Sequence, residues 1–131
     1  MYDFAKDAIK VFKVLNLTGN AFGAGMIISI LRGSNAKKVF PRFKQSEWFG
    51  SGKNHTEEWW KIFVRMLINN GYIKEKPISG GHAFVLSVNS KSLEWMELVR
   101  KQQDTALIFQ VPDDMSSLLP KKKEQPSLTL V

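Results

Sequence analysis

Apolar residues recur at steps of three and four near the start of the chain, at Phe4, Ala8, Val11, Phe12 and Leu15, with Lys6, Lys10 and Lys13 between them. This period gathers the apolar positions into one stripe and predicts an amphipathic helix, ended by Gly19 and Asn20. A second, more apolar helix is predicted from about Ala24 to Leu31, burying Met26, Ile27, Ile30 and Leu31. Gly33 is placed to take the left-handed conformation after its end. Ser34 or Asn35 carries the side-chain oxygen to cap a short third helix running through Phe40. On that reading Pro41 lies too deep for a first-turn proline and is expected to kink or end the helix.

Gln45 to Lys53, with Trp48, Phe49, Gly50, Ser51 and Gly52, has no period and predicts an aromatic-anchored loop. The clearest helix follows. Thr56 is its expected cap, Glu57 and Glu58 oppose the positive helix start, and Trp59, Phe63, Met66 and Leu67 form the apolar stripe up to Asn69, Asn70 and Gly71. Lys61, Arg65 and Asn69 share the polar face. Tyr72 to Lys76 and His82 to Val88 predict two strands joined through Pro77, Ile78, Ser79, Gly80 and Gly81. A last helix, about Lys91 to Lys101, is expected to pack Leu93, Trp95, Met96 and Leu98. No internal repeat is visible. This order predicts a mainly α fold with a small β-hairpin (α+β), a helical core bearing a two-stranded wing. That is the winged helix, which hosts DNA binders and protein adaptors alike and so decides no function by itself.

Composition narrows the picture. A chain of 131 residues with 44% hydrophobic and 24% charged residues suits one globular core and excludes wholesale disorder, collagen-like repeats and a coiled-coil rod. From Pro112 onward prolines, scattered Ser and the run Lys121, Lys122, Lys123 offer little to a core, so residues 1–111 are expected to fold and 112–131 to form a flexible basic tail. Pro120 with the three lysines is a candidate nuclear-import signal. The start of the chain has no apolar run of signal-peptide length, and no stretch is apolar enough to span a bilayer; neither export nor a membrane is expected. With 0 Cys, disulfide frameworks and thiolate zinc sites are excluded. Nineteen Lys and Arg against 12 Asp and Glu give a net charge of +7, which favours a polyanionic partner.

Catalytic constellations are absent from the pattern. The two histidines, His55 and His82, lie in different segments, and Glu57 and Glu58 are explained as first-turn acids. Gly52 and Lys53 suggest a phosphate loop, but that motif needs Gly where Glu47 stands and Ser or Thr where Asn54 stands. The strongest charge signal is the acid-free run holding Arg32, Lys37, Lys38, Arg42 and Lys44. The free N–H groups of the predicted third helix would there lie beside Arg32 and the Ser34 hydroxyl, a set suited to a phosphate oxygen. Lys61 and Arg65, one turn apart, extend the same surface or are plain solvated charges. Most aromatics sit at core spacing; His82, at the hairpin tip after two glycines, is either a stacking ring or a turn residue without a partner.

Leu31-Arg32-Gly33-Ser34-Asn35, then Phe49-Gly50-Ser51-Gly52-Lys53, then Thr56-Glu57-Glu58-Trp59-Trp60-Lys61 and Gly71-Tyr72-Ile73, in that order, resemble the RecQ-C-terminal (RQC) domain of RecQ helicases, above all its Werner-type members. The resemblance covers about Tyr2 to Leu119. It implies a non-catalytic, monomeric, nuclear winged-helix module that grips DNA backbone at duplex ends or forks while the wing wedges between terminal bases, serving unwinding in replication, recombination and repair. It further implies that ATP, Mg and zinc belong to upstream parts of a parent helicase, with no cofactor in this segment. Carried over by position, Arg32, Ser34, Lys38 and Lys61 match phosphate contacts, with Lys37 beside them, and the paired Trp59 and Trp60 match scaffold. An ungapped count from Gly71 puts Gly81, His82 and Ala83 at the wing tip. Werner-type members carry a larger aromatic at that tip, and a shifted hairpin register would bring Phe84 there instead. Two other readings stand beside this one: an adaptor docking an acidic protein, and a sequence-specific regulator with its third helix in the major groove.

Overall fold

The computed structural model describes residues 2–36, 39–78, 83–101 and 106–109. Strand β1 (Tyr2–Asp3) leads into helix α1 (Ala5–Leu17), where the expected stripe of Ala8, Val11, Phe12 and Leu15 is buried. The Asp3 carboxylate accepts hydrogen bonds from the backbone N–H groups of Ala5, at 3.0 Å, and Leu107, at 2.9 Å. It thus starts α1 and also clamps the returning strand β4 (Ile108–Phe109), which pairs antiparallel with β1. Sequence periodicity gives no sign of this pairing, because strands so short carry no period.

Helix α2 (Ala24–Arg32) ends on Gly33 at φ 72°, in the left-handed conformation that the sequence predicts. Its last carbonyls are satisfied from the loop that follows: Gly50 N–H donates to Ile30 O and Gly52 N–H to Leu31 O, both at 2.8 Å. A Cβ on Gly52 would lie 2.5 Å from Trp60 Cζ2, while Trp60 Nε1 donates to Gly52 O at 2.8 Å. The loop with its glycine motif is therefore a buttress closing the end of α2, with Trp48 and Phe49 packed on the core.

The third helix differs from expectation. Helix α3 is Pro41–Lys44, with Pro41 in its first turn and Phe40 as the extended residue before it. Proline has no N–H to lose at a helix start and its φ is preset there, so Pro41 begins this turn where the sequence reading had it end one. The residue before a proline is pushed out of the helical region, which matches Phe40 at ψ 144°. Among the described residues 34–36, 39 and 40 none is helical.

Helix α4 (Glu57–Asn69) follows the prediction, with the Thr56 hydroxyl accepting from Trp59 N–H at 3.1 Å and Trp59, Trp60, Phe63, Val64, Met66 and Leu67 buried. Strands β2 (Ile73–Ile78) and β3 (Ala83–Val88) form an antiparallel hairpin in the register Ile73↔Val88 to Ile78↔Ala83. Pro77 and Ile78, expected in the connection, belong to β2. The hairpin is tied to the α1–α2 connection by Leu86 N–H donating to Phe22 O at 2.9 Å and Val88 N–H to Asn20 Oδ1 at 3.1 Å.

Helix α5 (Ser90–Arg100) is capped reciprocally by Asn89 and Ser92. It buries Trp95 but leaves Leu93 and Leu98 exposed, contrary to their predicted packing, because the core touches only the side of α5 carrying Ser92 and Trp95. A helical core bearing a two-stranded wing is the winged-helix arrangement the element order predicts. No described helix is long and apolar enough to cross a membrane.

Candidate nucleic-acid interface

The buried face of α4 carries an aromatic cluster. The His55 ring lies parallel to Trp59 at 3.5 Å, Trp59 meets Trp60 edge-on at 4.9 Å, and Phe4 stacks on Phe63 at 5.0 Å. Buried with them, Asp7 Oδ1 is 3.5 Å from His55 Nε2. This order extends to the backbone of residues 53–55, which holds Arg32: its Nη1 donates to His55 O at 2.8 Å and to Lys53 O at 3.1 Å. The guanidinium is thus anchored by carbonyls, and no acid pairs with it among the described residues. Its charge remains available to an anion.

Arg32 and Ser34 line a hollow of about 250 Å³ with Ile28, Ser29 and Glu57. That hollow shares Ile28, Ser29 and Glu57 with a groove of about 600 Å³ between α2, α4 and the hairpin, walled by Lys61, Val64, Arg65, Glu75, Ala83 and Phe84 among others. Arg32, Ser34, Lys61 and Ala83, assembled by sequence from separate segments, therefore lie along one connected surface. A larger concavity of about 810 Å³ borders it on the flank of α4, between Thr56 and Asn69, but a single helix forms it.

The cations of this surface are partly spoken for. Lys61 Nζ is 3.4 Å from Glu57 Oε2, and Arg65 makes a two-point contact with the Glu75 carboxylate at 3.2 and 3.3 Å. Both lysine and glutamate of the first pair are about two-thirds exposed, at 63% and 66%, so water screens the pair heavily. Pairing of Arg65 with Glu75 across helix and strand depends on the tertiary fold, and sequence reasoning missed it. The same holds for Ser29 and for the groove-facing position of Phe84, which register alone decides. Phe84 is opposite Pro77, one rung inside the last described pair, and is 47% exposed. Lys74 and Lys76 alternate onto the other side of the hairpin from Glu75 and Pro77.

The third helix does not start where the phosphate cradle expected of the run Arg32 to Lys44 needs it. The Ser34 hydroxyl accepts from Ala36 N–H at 3.1 Å, closing a local turn, and the third helix begins only at Pro41. Its free N–H groups therefore do not sit beside Arg32 and Ser34. Arg42 lies over the Phe43 ring at 4.5 Å and the Phe40 ring at 5.0 Å, and Lys44 Nζ donates to Asn35 O at 3.4 Å. Lys37 and Lys38, and Gly81 and His82 at the expected wing tip, lie outside the described residues. Among the described residues no cluster of His, Cys, Asp or Glu could hold a metal ion.

A winged helix whose hairpin walls a groove carrying Lys61 and Arg65, with Arg32 in the adjoining hollow, has the form of a nucleic-acid-binding module. Residues 1–111 match the family model described as the RQC domain, and the chain belongs to that family. Over 95% of its length it is 29% identical to the bifunctional 3'-5' exonuclease/ATP-dependent helicase WRN of Mus musculus. Over 59% of its length it is 33% identical to a putative ATP-dependent RNA helicase, R290, of Acanthamoeba polyphaga mimivirus, and over 56% it is 33% identical to the ATP-dependent DNA helicase RecQ of Haemophilus influenzae. The chain spans 9% of the first relative and 14% and 12% of the other two.

Proposed function

We propose that this domain is the DNA-binding module of a RecQ-type helicase, gripping backbone phosphates with Arg32, Ser34 and Lys61, with Lys37 and Lys38 beside them, at duplex ends or forks. The observation that carries this reading is the convergence of Arg32, Ser34 and Lys61 on one surface walled by the hairpin. The hairpin is the strand-separating wedge, its tip formed around Gly81, His82 and Ala83, with Phe84 as the next ring inward. Residues 1–111 are the binding unit and 112–131 its basic tail. The module acts as a non-catalytic monomer in the nucleus, in unwinding that serves replication and repair; ATP, Mg and zinc chemistry belongs to other parts of a parent helicase. RecQ in the name of a DNA helicase relative supports DNA over RNA as the substrate.

The test is a fluorescence-anisotropy titration of a blunt duplex, a forked duplex, a single strand and a closed duplex dumbbell at two salt concentrations. Expected are tighter binding to open or forked ends and a log K that falls with log salt by about 0.9 for each phosphate neutralised. Arg32→Ala weakens binding to all of them alike, whereas His82→Ala erases the preference for ends. Equal binding to all four substrates, before and after His82→Ala, overturns the wedge. Affinity no greater than that of an unrelated protein of equal charge overturns DNA binding and favours an adaptor for an acidic protein partner.

A further inference from the structure

Glu57 stands where the concavities of this surface meet. It borders the hollow with Arg32 and Ser34, the groove with Lys61, Arg65 and Phe84, and the flank of α4. As a first-turn acid Glu57 favours the positive start of α4, but the helix does not depend on it there. The cap of α4 is the Thr56 hydroxyl, Glu58 supplies a second acid to the same first turn, and the Glu57 side chain is exposed. An acid among the cations of this surface opposes any polyanion laid along it, and its Oε2 is already 3.4 Å from Lys61 Nζ.

We infer that Glu57 is an internal counterion that competes with backbone phosphate for Lys61 and so sets how much of the affinity is generic attraction to polyanions. The inference rests on the nucleic-acid reading above. In the free protein Glu57 holds the Lys61 ammonium over the groove. A one-turn, solvent-exposed pair is weak, so a phosphate placed against Lys61 takes the lysine away. The displaced carboxylate remains beside the bound backbone and repels it. A polyanion that places no phosphate against Lys61 meets the repulsion without the compensating contact, so Glu57 selects against loosely placed backbone.

Glu57→Gln keeps the shape and removes the charge. Anisotropy titrations with a short blunt duplex and a single strand of the same sequence compare the unmodified chain, Glu57→Gln, Lys61→Met and the double variant, with Glu94→Gln on exposed α5 as the control for net charge. Expected for Glu57→Gln are a gain of about three- to tenfold in affinity and a salt slope steeper by up to about 0.9, both lost in the Lys61→Met background. Glu94→Gln is expected to gain less than twofold. An equal gain from Glu94→Gln, or a gain undiminished in the double variant, overturns the competition for Lys61. No gain from Glu57→Gln while Lys61→Met still weakens binding overturns the role of Glu57 and leaves the proposed function standing. No salt-dependent binding by any variant overturns both. Circular dichroism checks that each variant folds, and Glu57→Ala repeats the comparison with a better helix former.

Discussion

The two faces of helix α4 obey different physics although their residues alternate along one segment. On the inner face Trp59, Trp60, Phe63 and Leu67 are fully buried, and the three aromatic rings meet Phe4 or His55. On the outer face Lys61, Glu57 and Arg65 stand in water and meet only charges. Burying a large apolar side chain stabilises by about 1.5–3 kcal/mol, whereas an exposed ion pair contributes about 0–1 kcal/mol. The inner face therefore holds the fold, and the outer face can change its charges at little cost to stability. What links them is Arg32, which points to the outer surface but is held by the His55 and Lys53 carbonyls above the aromatic stack.

Trp60→Ala breaks the comparison most severely. It leaves a cavity beneath the loop and removes the hydrogen bond to Gly52 O, so a loss of about 3–5 kcal/mol is expected in urea unfolding, with DNA affinity falling as Arg32 loses its anchor. Gly52→Ala drives a methyl into the same indole and is expected to cost about 1–3 kcal/mol, with Trp fluorescence shifting because the ring must move. Thr56→Ala removes the cap shared by both faces and is expected to cost about 1 kcal/mol in the same assay. Lys61→Ala sharpens the contrast from the other side: stability is expected to stay within about 0.5 kcal/mol while the salt slope of DNA binding falls by about 0.9.

The smallest effect is expected at Glu97, on exposed α5. The hydrogen bond from Arg100, reinforced by the guanidinium charge, holds the Glu97 carboxyl below its ordinary range. A lowered carboxyl pKa stabilises the fold above the ordinary value and loses that contribution as pH falls through the lowered one. Because the pair is exposed, Glu97→Gln is expected to leave the melting temperature unchanged at neutral pH and at pH below the carboxylate range alike. A measurable drop confined to neutral pH would show that outer-face pairs carry more of the fold than α4 suggests.

Legibility in the sequence tracked how local the deciding interaction is. Helices α1, α2 and α4 and the cap at Thr56 were readable because apolar period, cap chemistry and the Gly33 stop act within a few residues. The third helix was not, because Pro41 is compatible with ending one helix or starting another, and the turn at Ser34 and Ala36 decides between them. Leu93 and Leu98 satisfied a helical period yet stayed in water, since a period names a face without saying whether anything covers it. Of the candidate site, Arg32, Ser34 and Lys61 could be named from residue type and motif. Their meeting could not be derived from spacing, and neither could the Glu75 carboxylate placed beside Arg65.

By itself the sequence determined the helix-rich order with its hairpin, the basic balance and the absence of any thiolate chemistry, because each of these follows from residue type and short-range period. Tertiary structure alone decided that the glycine motif buttresses α2, that Arg65 finds Glu75, and that Glu57 borders both the groove and the hollow beside Arg32. These are contacts between segments distant in the chain, and their geometry is set by how the helices pack around the Trp59 and Trp60 stack, which no local pattern encodes.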